Sequence, residues 1–234
     1  MTTLLALDTS TEACSVALLY NNEITHFDEL AQRTHTQRIL PLIDQLLAQS
    51  AIQLNQVDAL VFGRGPGSFT GVRVGAGIAQ GLAFGADLPV IPISNLTAMA
   101  QAAYEQYQAT NVLAAIDARM NEVYFSQLTQ VQSEKGFSVW QADIAEVVIK
   151  PEQLVMNLAD DLSSAYKVGT GWQAYPQLAE ISAITTEILL PSARYMLPLA
   201  LPLWQQQAFI RAEQIEPVYL RNEVTWQKLP GRES

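Results

Sequence analysis

Short apolar runs bounded by polar turns open the chain. Leu4–Asp8 and Ser15–Tyr20 read as strands separated by the polar stretch TSTEA, and Asn21-Asn22 turns the chain into a third strand, Glu23–Glu29. Together they predict a three-stranded meander. The period then becomes helical. In RTHTQRILPLIDQLLAQ the residues Ile39, Leu42, Ile43, Leu46 and Leu47 recur three and four apart, and Thr34 with Gln37 predicts a capping box. Pro41 removes one backbone bond and should kink this helix. Asp58–Phe62 reads as a fourth strand, Pro89–Ile93 as a short extended segment and Asn95–Tyr107 as an alanine-rich helix.

A second unit begins near Asn111. NVLAAID is a buried-type strand, EVYFSQLTQ alternates, and KGFSVW closes a second meander. EVVIK and AYKVG suggest further strands. Pro151–Leu158, Trp172–Leu178 and Ser192–Gln207 read as helices, the last interrupted by Pro198 and Pro202. Both units start with an apolar strand ending in aspartate, Asp8 and Asp117, and then run strand, strand, helix. That is the mark of an internal duplication. The expected lobes are 1–105, onto which 209–234 packs back, and 106–208. No flexible linker parts them, so the two should pack together.

Between the fourth strand and residue 85 runs GRGPGSFTGVRVGAGIAQGLAFG. Its second half predicts a helix over 70–85 despite five glycines, each costing a helix roughly 1 kcal/mol relative to alanine. Gly67, Gly71 and Gly75 are spaced four apart, and so are Gly77, Gly81 and Gly85, so each set forms one stripe on a helix. A bare stripe lets a neighbouring backbone approach, and Val74, Ile78 and Leu82 lie alongside as an apolar stripe. Burial of those side chains can offset the glycine cost. This helix and the one before it carry surplus apolar or bare surface of the kind that docks a partner. Packing on the chain's own sheet takes part of that surface.

Composition narrows the class. The chain has 234 residues, 49% of them apolar, which suits a folded globular protein. Its net charge of −10 argues against tight nucleic-acid binding by this chain alone. Cys14 is the only cysteine, so no internal disulfide can form and a reducing compartment is the simpler expectation. MTTLLALDTST has no basic leader and does not read as a signal peptide, and LPLALPLW is too short to cross a bilayer. A cytoplasmic protein is expected.

Candidate chemistry is sparse. Asp8-Thr9-Ser10-Thr11 sits between two strands, where such a turn either holds phosphate oxygens or simply closes a hairpin. GRGPGSFTG either cradles a phosphate before a helix or supplies pliable backbone. It has neither the lysine of a Walker loop nor the spacing of a dinucleotide fingerprint. His26 and His35 have no neighbouring ligand at metal-binding spacing, and Cys14 has an apolar context suited to packing. Asp117, Glu122, Asp143 and Glu146 can pair only through folding. Arg64 and Arg73 flank the glycine segment and Arg33 and Arg38 the first helix, as docking groups or as solvated surface.

MTTLLALDTST, GRGPGSFTGVRVGAGIAQGLA, DARMNEVY at 117–124 and EPVYLR at 216–221 resemble, in sequence and order, the TsaB family, also called YeaZ. The resemblance implies an α/β, two-lobed fold of the actin-like and sugar-kinase type, each lobe a ribonuclease-H-like sheet with helices. It implies a role in making threonylcarbamoyladenosine on tRNA as a non-catalytic subunit. The metal and the transfer chemistry belong to a paralogue, TsaD, joined by the ATPase TsaE. The implied partner surface comprises His35, Ile39, Leu42, Ile43, Leu46, Arg64, Gly71, Arg73, Val74, Gly77, Ile78, Gly81 and Leu82. The same face forms a homodimer when TsaD is absent, and tRNA is met only within the complex. Asp8, Thr9, Ser10 and Thr11 become a vestigial phosphate loop. No cofactor is expected on the isolated chain, while the joint with TsaD leaves room for a nucleotide. The paralogues' metal-binding H-x-x-x-H is broken here, with Ile39 one turn after His35. The alternative is an ATP-binding enzyme of the sugar-kinase kind using Asp8–Thr11 and Asp117. Thr9, standing where such a loop would favour glycine, counts against it.

Overall fold

The computed structural model describes residues 1–31, 34–133, 136–158 and 161–221. Arg33, the Lys135 that begins KGFSVW, and residues 222–234 of the tail lie outside the described residues.

The first sheet holds β1 (Leu4–Asp8), β2 (Ala13–Tyr20), β3 (Glu23–Leu30), β4 (Ala59–Gly63) and β5 (Val90–Ile93), in the order β3-β2-β1-β4-β5. The meander β1–β3 is antiparallel, and β4 and β5 add in parallel. Helix α1 (His35–Gln49) precedes β4, α2 (Phe69–Ala86) joins β4 to β5, and α3 (Asn95–Tyr107) follows β5. The second sheet holds β6 (Asn111–Asp117), β7 (Val123–Gln132), β8 (Ser138–Ile149), β9 (Tyr166–Val168) and β10 (Ile184–Thr185). Read from its β8 edge the order is β8-β7-β6-β9-β10, with the same antiparallel meander and the same parallel additions. The duplication expected from the two aspartate-ended strands is therefore present. The chain has the α/β, two-lobed actin-like architecture built from paired ribonuclease-H-like sheets.

Burial explains the layers. Leu5, Leu7, Leu60 and Phe62 face α1 and α2, while Leu4, Ala6, Val61 and Ile91 face the other way. That opposite face is covered by α6 (Met196–Gln205), through Met196, Leu197 and Ala200. Helix α3 turns Leu96, Met99 and Ala103 onto the second sheet beside Val112 and Ala114, and lends Ala98 to the first. So α3, which follows the first sheet, packs on the second, and α6, which follows the second, packs on the first. The far face of the second sheet is closed by α4 (Pro151–Asn157) and α5 (Gly171–Ala174), through Leu154 and Trp172. Beyond α6, Ile210 pairs with Val90 at the edge of β5, and Ala212 and Ile215 join the core under α2.

Several local expectations change. Thr34 starts α1, but its side chain makes no capping bond, so the capping box does not form. KGFSVW and EVVIK are not two strands: residues 138–149 form one continuous β8, bulged where it meets Phe125–Leu128 of β7. Pro176 divides 172–178 into the short α5 and a 3-10 turn, Pro176–Leu178. Ser192 caps a separate 3-10 turn, Ala193–Tyr195, ahead of α6. Pro198 then falls in the first turn of α6, where no intrahelical N–H bond is lost.

Candidate functional site

The carboxyl end of β1 is a closed polar knot. Asp8, Thr9, Ser10 and Thr11 are all buried, Asp8 with 1% of its surface exposed. Asn95, at the start of α3, donates from Nδ2 to Oδ1 of Asp8 at 3.1 Å and to the Ser10 hydroxyl, and its Oδ1 accepts from the Gly65 amide at 3.2 Å. The Ser10 hydroxyl donates to Oδ2 of Asp8 at 3.0 Å. Burial pushes the Asp8 carboxyl up to about 7, against the lowering effect of the bonds from Ser10 and Asn95.

The first glycine stripe is what closes the knot. Gly71 and Gly75 lie on the inner side of α2, and Gly67 sits just before the helix cap. A Cβ on Gly71 would clash with the Thr9 carbonyl oxygen. One on Gly67 would stand 2.5 Å from the Ser10 carbonyl oxygen, and one on Gly75 2.9 Å from the Thr9 hydroxyl. The approach is cemented by hydrogen bonds: the Thr9 hydroxyl donates to the Gly71 carbonyl at 2.8 Å, and the Ser68 amide donates to the Ser10 carbonyl at 2.7 Å. Ser68 also caps α2 by accepting from the Gly71 amide at 3.0 Å. The side chains of Thr9 and Ser10 are thus spent within the chain.

The second stripe faces out. A Cβ added to Gly77, Gly81 or Gly85 would meet no atom of the described residues within 4 Å, and Phe69 and Phe84 beside them are 58% and 56% exposed. Val74, Ile78 and Leu82 are half-buried at the border of this face. Arg73 lies on it, its guanidinium 3.2 Å from the centroid of the Phe69 ring and 5.1 Å from that of Tyr219. The other residues expected on a partner face divide differently. Ile39, Leu42, Ile43 and Leu46 are at most 2% exposed and hold α1 to its own sheet, each burial stabilising by roughly 1.5–3 kcal/mol. They are core, and so is Gly71. Arg64 turns away from the face and forms a two-pronged pair with Glu146 of β8, both contacts at 3.0 Å. His35 is half-buried, donating from Nε2 to the Thr11 carbonyl at 2.8 Å, which sets its tautomer.

Between the lobes lies a cleft of about 830 Å³, walled by Ser10–Glu12, His35 and Gly67–Phe69 on one side and by Ile116–Arg119, Tyr124 and Thr170 on the other. The first-lobe turn contributes neither Asp8 nor Thr9 to this wall. The equivalent turn after β6 is open. Arg119, Met120 and Asn121 take left-handed backbone angles, and Arg119, 76% exposed at its side chain, pairs with Asp117 at 3.0 Å and with Glu12 at 3.5 Å. Tyr175 donates to Asp117 at 2.8 Å. Of the four acids, Asp117, Glu122 and Glu146 each find a cation in the folded chain, and Asp143 instead accepts from Thr129 at 2.6 Å. The described residues hold no group of three or more His, Cys, Asp or Glu placed to bind a metal, and no helix among them is long and apolar enough to cross a membrane. Cys14 is fully buried, and burial pushes its thiol up to about 12, which fits a packing residue. Sequence reasoning misses Asn95, Phe69, Tyr219 and Arg221 as parts of this region. The last two lie inside EPVYLR, and the resemblance of that motif to the family is the available signal.

Residues 23–201 match the family model described as TsaD: tRNA N6-adenosine threonylcarbamoyltransferase. The chain is 68% identical to the tRNA threonylcarbamoyladenosine biosynthesis protein TsaB of Haemophilus influenzae, over 99% of this chain and 98% of that one. It is 50% identical to the protein of the same name from Escherichia coli, over 98% and 99%. Among solved structures it is similar to YeaZ from Pseudomonas aeruginosa, with a TM-score of 0.84, 42% identity and coverage of 94% of this chain and 100% of that one. With identity at this level running the length of both lobes, the chain belongs to the TsaB (YeaZ) family of tRNA threonylcarbamoyladenosine biosynthesis proteins.

Proposed function

We propose that this chain is a non-catalytic subunit that docks the catalytic paralogue TsaD and, with TsaE, supports formation of threonylcarbamoyladenosine on tRNA. The observation that carries this reading is the division of labour on α2. Its inner glycines seal the β1 turn, and its outer glycines leave a bare face flanked by Phe69, Phe84, Val74, Ile78 and Leu82. A bare apolar face of this kind admits a partner helix at close range. The same face supports a homodimer in the absence of TsaD, tRNA is engaged only in the assembled complex, and the cytoplasm is the working compartment. The Asp8–Thr11 turn is a vestige of a phosphate loop, since its carboxylate and the hydroxyls of Thr9 and Ser10 serve internal bonds.

The test is reconstitution of the modification on unmodified tRNA with ATP and a supplied activated threonylcarbamoyl donor. The chain alone should yield no modified adenosine, and adding TsaD and TsaE should yield it in an amount that depends on this chain. Product from the chain alone would overturn the proposal. Calorimetric titration with ATP and Mg²⁺ tests the kinase-like alternative directly, which requires tight binding accompanied by turnover.

A further inference from the structure

The segment after Ile215 runs from one lobe to the other. Ile215 is buried in the core beneath α2. The Val218 amide donates to the Arg64 carbonyl at 2.8 Å. Tyr219 packs against Phe69 in a tilted arrangement, ring centroids 6.1 Å apart and planes at 48°, and Arg73 sits over both rings. Two residues later the chain has changed lobes: Arg221 donates to the Ala118 carbonyl at 3.3 Å and pairs with Glu122, both on the turn between β6 and β7. Arg221 and Phe69 also line the interlobe cleft. The guanidinium and its partner carboxylate are each about three-quarters shielded, so the pair is less screened than a surface one.

We infer that Glu216–Arg221 is a strap that fastens the two lobes across the mouth of the cleft. Its first-lobe anchor is the exposed Phe69–Arg73 pair at the start of α2 and its second-lobe anchor is the Ala118–Glu122 turn. One end is held by a tilted ring contact and one backbone bond, the other by charge and hydrogen bonds to a carbonyl and a carboxylate. Neither end is a core contact, so the strap can be released without unpacking either sheet. The lobe angle is therefore set in part from the surface of α2. The Arg64–Glu146 and Arg119–Glu12 pairs also tie the lobes; Arg64–Glu146 is the better shielded of the two and is removed from the background of the test.

The lobe distance is measured by spin labels on cysteines placed at Gln56 and Gln153, exposed positions in the first and second lobes. Cys14 is fully buried and leaves the labels selective. Labelled chains are diluted with unlabelled ones so that only distances within one molecule are read. In an Arg64→Ala background, adding Arg221→Ala should broaden the distance distribution by about twofold, as expected of lobes free to hinge. Phe69→Ala, which removes the other anchor, should broaden it in the same direction. Arg38→Ala breaks an ion pair within the first lobe and is the control that should leave the width unchanged. Circular dichroism and the melting transition establish that each variant is folded. If folded Arg221→Ala and Phe69→Ala chains keep the parental width, or if Arg38→Ala broadens it equally, the strap is refuted. Should Arg221→Ala fail to fold, Glu122→Gln reads the same anchor from the other side.

Discussion

The two faces of α2 are built from the same residue at the same spacing and do opposite things. On the inner face the Thr9 carbonyl oxygen stands too close to leave room for a Gly71 side chain. On the outer face, six to fourteen residues along, no atom of the described residues stands within 4 Å of the same position on Gly77, Gly81 or Gly85. Glycine costs the helix about the same at each site. On the inner face that cost is offset within this chain, by the hydrogen bonds of the Thr9–Ser10 turn. On the outer face no contact among the described residues offsets it. A repeated motif therefore says that close approach is wanted, and the neighbouring turn decides which approach is already satisfied.

Placing one side chain on each face tests this contrast most severely. Gly71→Leu drives carbon into the Thr9 carbonyl and the Ser68 hydroxyl. It should cost more than about 3 kcal/mol, the upper end of ordinary overpacking, because the obstruction is backbone and cannot swing aside. Urea unfolding is the measurement. A loss below about 0.5 kcal/mol would show that the turn yields and that the inner stripe is not a close-packed seam.

The knot itself supplies the next effect. Its carboxyl stands at about 7 when folded, against an ordinary value of 3.8. The folded chain thus keeps a proton through a range in which the unfolded chain has released it, and ∂ΔG/∂pH for this group is negative there. Its contribution is full below about pH 4 and is lost progressively as pH rises through about 7. Asp8→Asn keeps the shape of the side chain and one acceptor oxygen without titrating. The variant should therefore gain on the parent protein between about pH 5 and pH 7 by about 2–3 kcal/mol, at about 1.4 kcal/mol per pKa unit. Parallel stability curves for the two chains over that range would remove Asp8 as the titrating group.

Smaller again is the contrast between the two arginines that flank the glycine segment. Arg64 and Arg73 look alike in sequence, yet one is bound to Glu146 and the other lies on exposed rings. Arg64→Ala should lower stability by about 1 kcal/mol, with a coupling to Glu146→Gln of similar size in a double-mutant cycle. Arg73→Ala should change stability by less than about 0.5 kcal/mol, as surface substitutions do. Equal losses from both would mean that Arg73 is structural as well.

Much of the fold is legible in the sequence because it rests on periodicity. Asn95–Tyr107 and Asn111–Asp117 can be read to the residue, since one is a capped run of alanine and the other an unbroken apolar strand. The duplication is legible through the two aspartates closing equivalent strands. What escapes depends on residues far apart in sequence. Asn95 meets Asp8 across 87 positions and Arg64 meets Glu146 across 82, and no local pattern announces either. The apolar arc of α1 reads as surplus surface, but Ile39, Leu42, Ile43 and Leu46 are all needed to cover the sheet. The capping box fails for a related reason: Thr34 and Gln37 have the right types, but no side-chain bond forms at Thr34. Counting apolar positions cannot tell a wide core-facing arc from a docking face. Only the exposure of Phe69, Phe84 and the outer glycines separates them.

The smallest expected change in stability falls on the outer stripe, and there the sign matters more than the size. Gly81→Leu is the matched partner of Gly71→Leu on the same helix. Leucine is close to alanine in helix propensity, and the added Cβ meets nothing among the described residues, so the isolated protein should be stabilised by up to about 1 kcal/mol. A partner helix seated on the bare stripe would meet the leucine instead, and its backbone would be held off. Melting temperature and sedimentation, measured on one sample, therefore separate the possibilities. An unchanged or raised melting temperature with weakened self-association, and weakened binding to TsaD, is the result expected of a docking face. A lowered melting temperature would mean that the stripe packs on this chain after all. A raised melting temperature with undiminished association would leave the outer glycines without a docking role, and the two faces of α2 would then differ only in that one is packed and the other is bare.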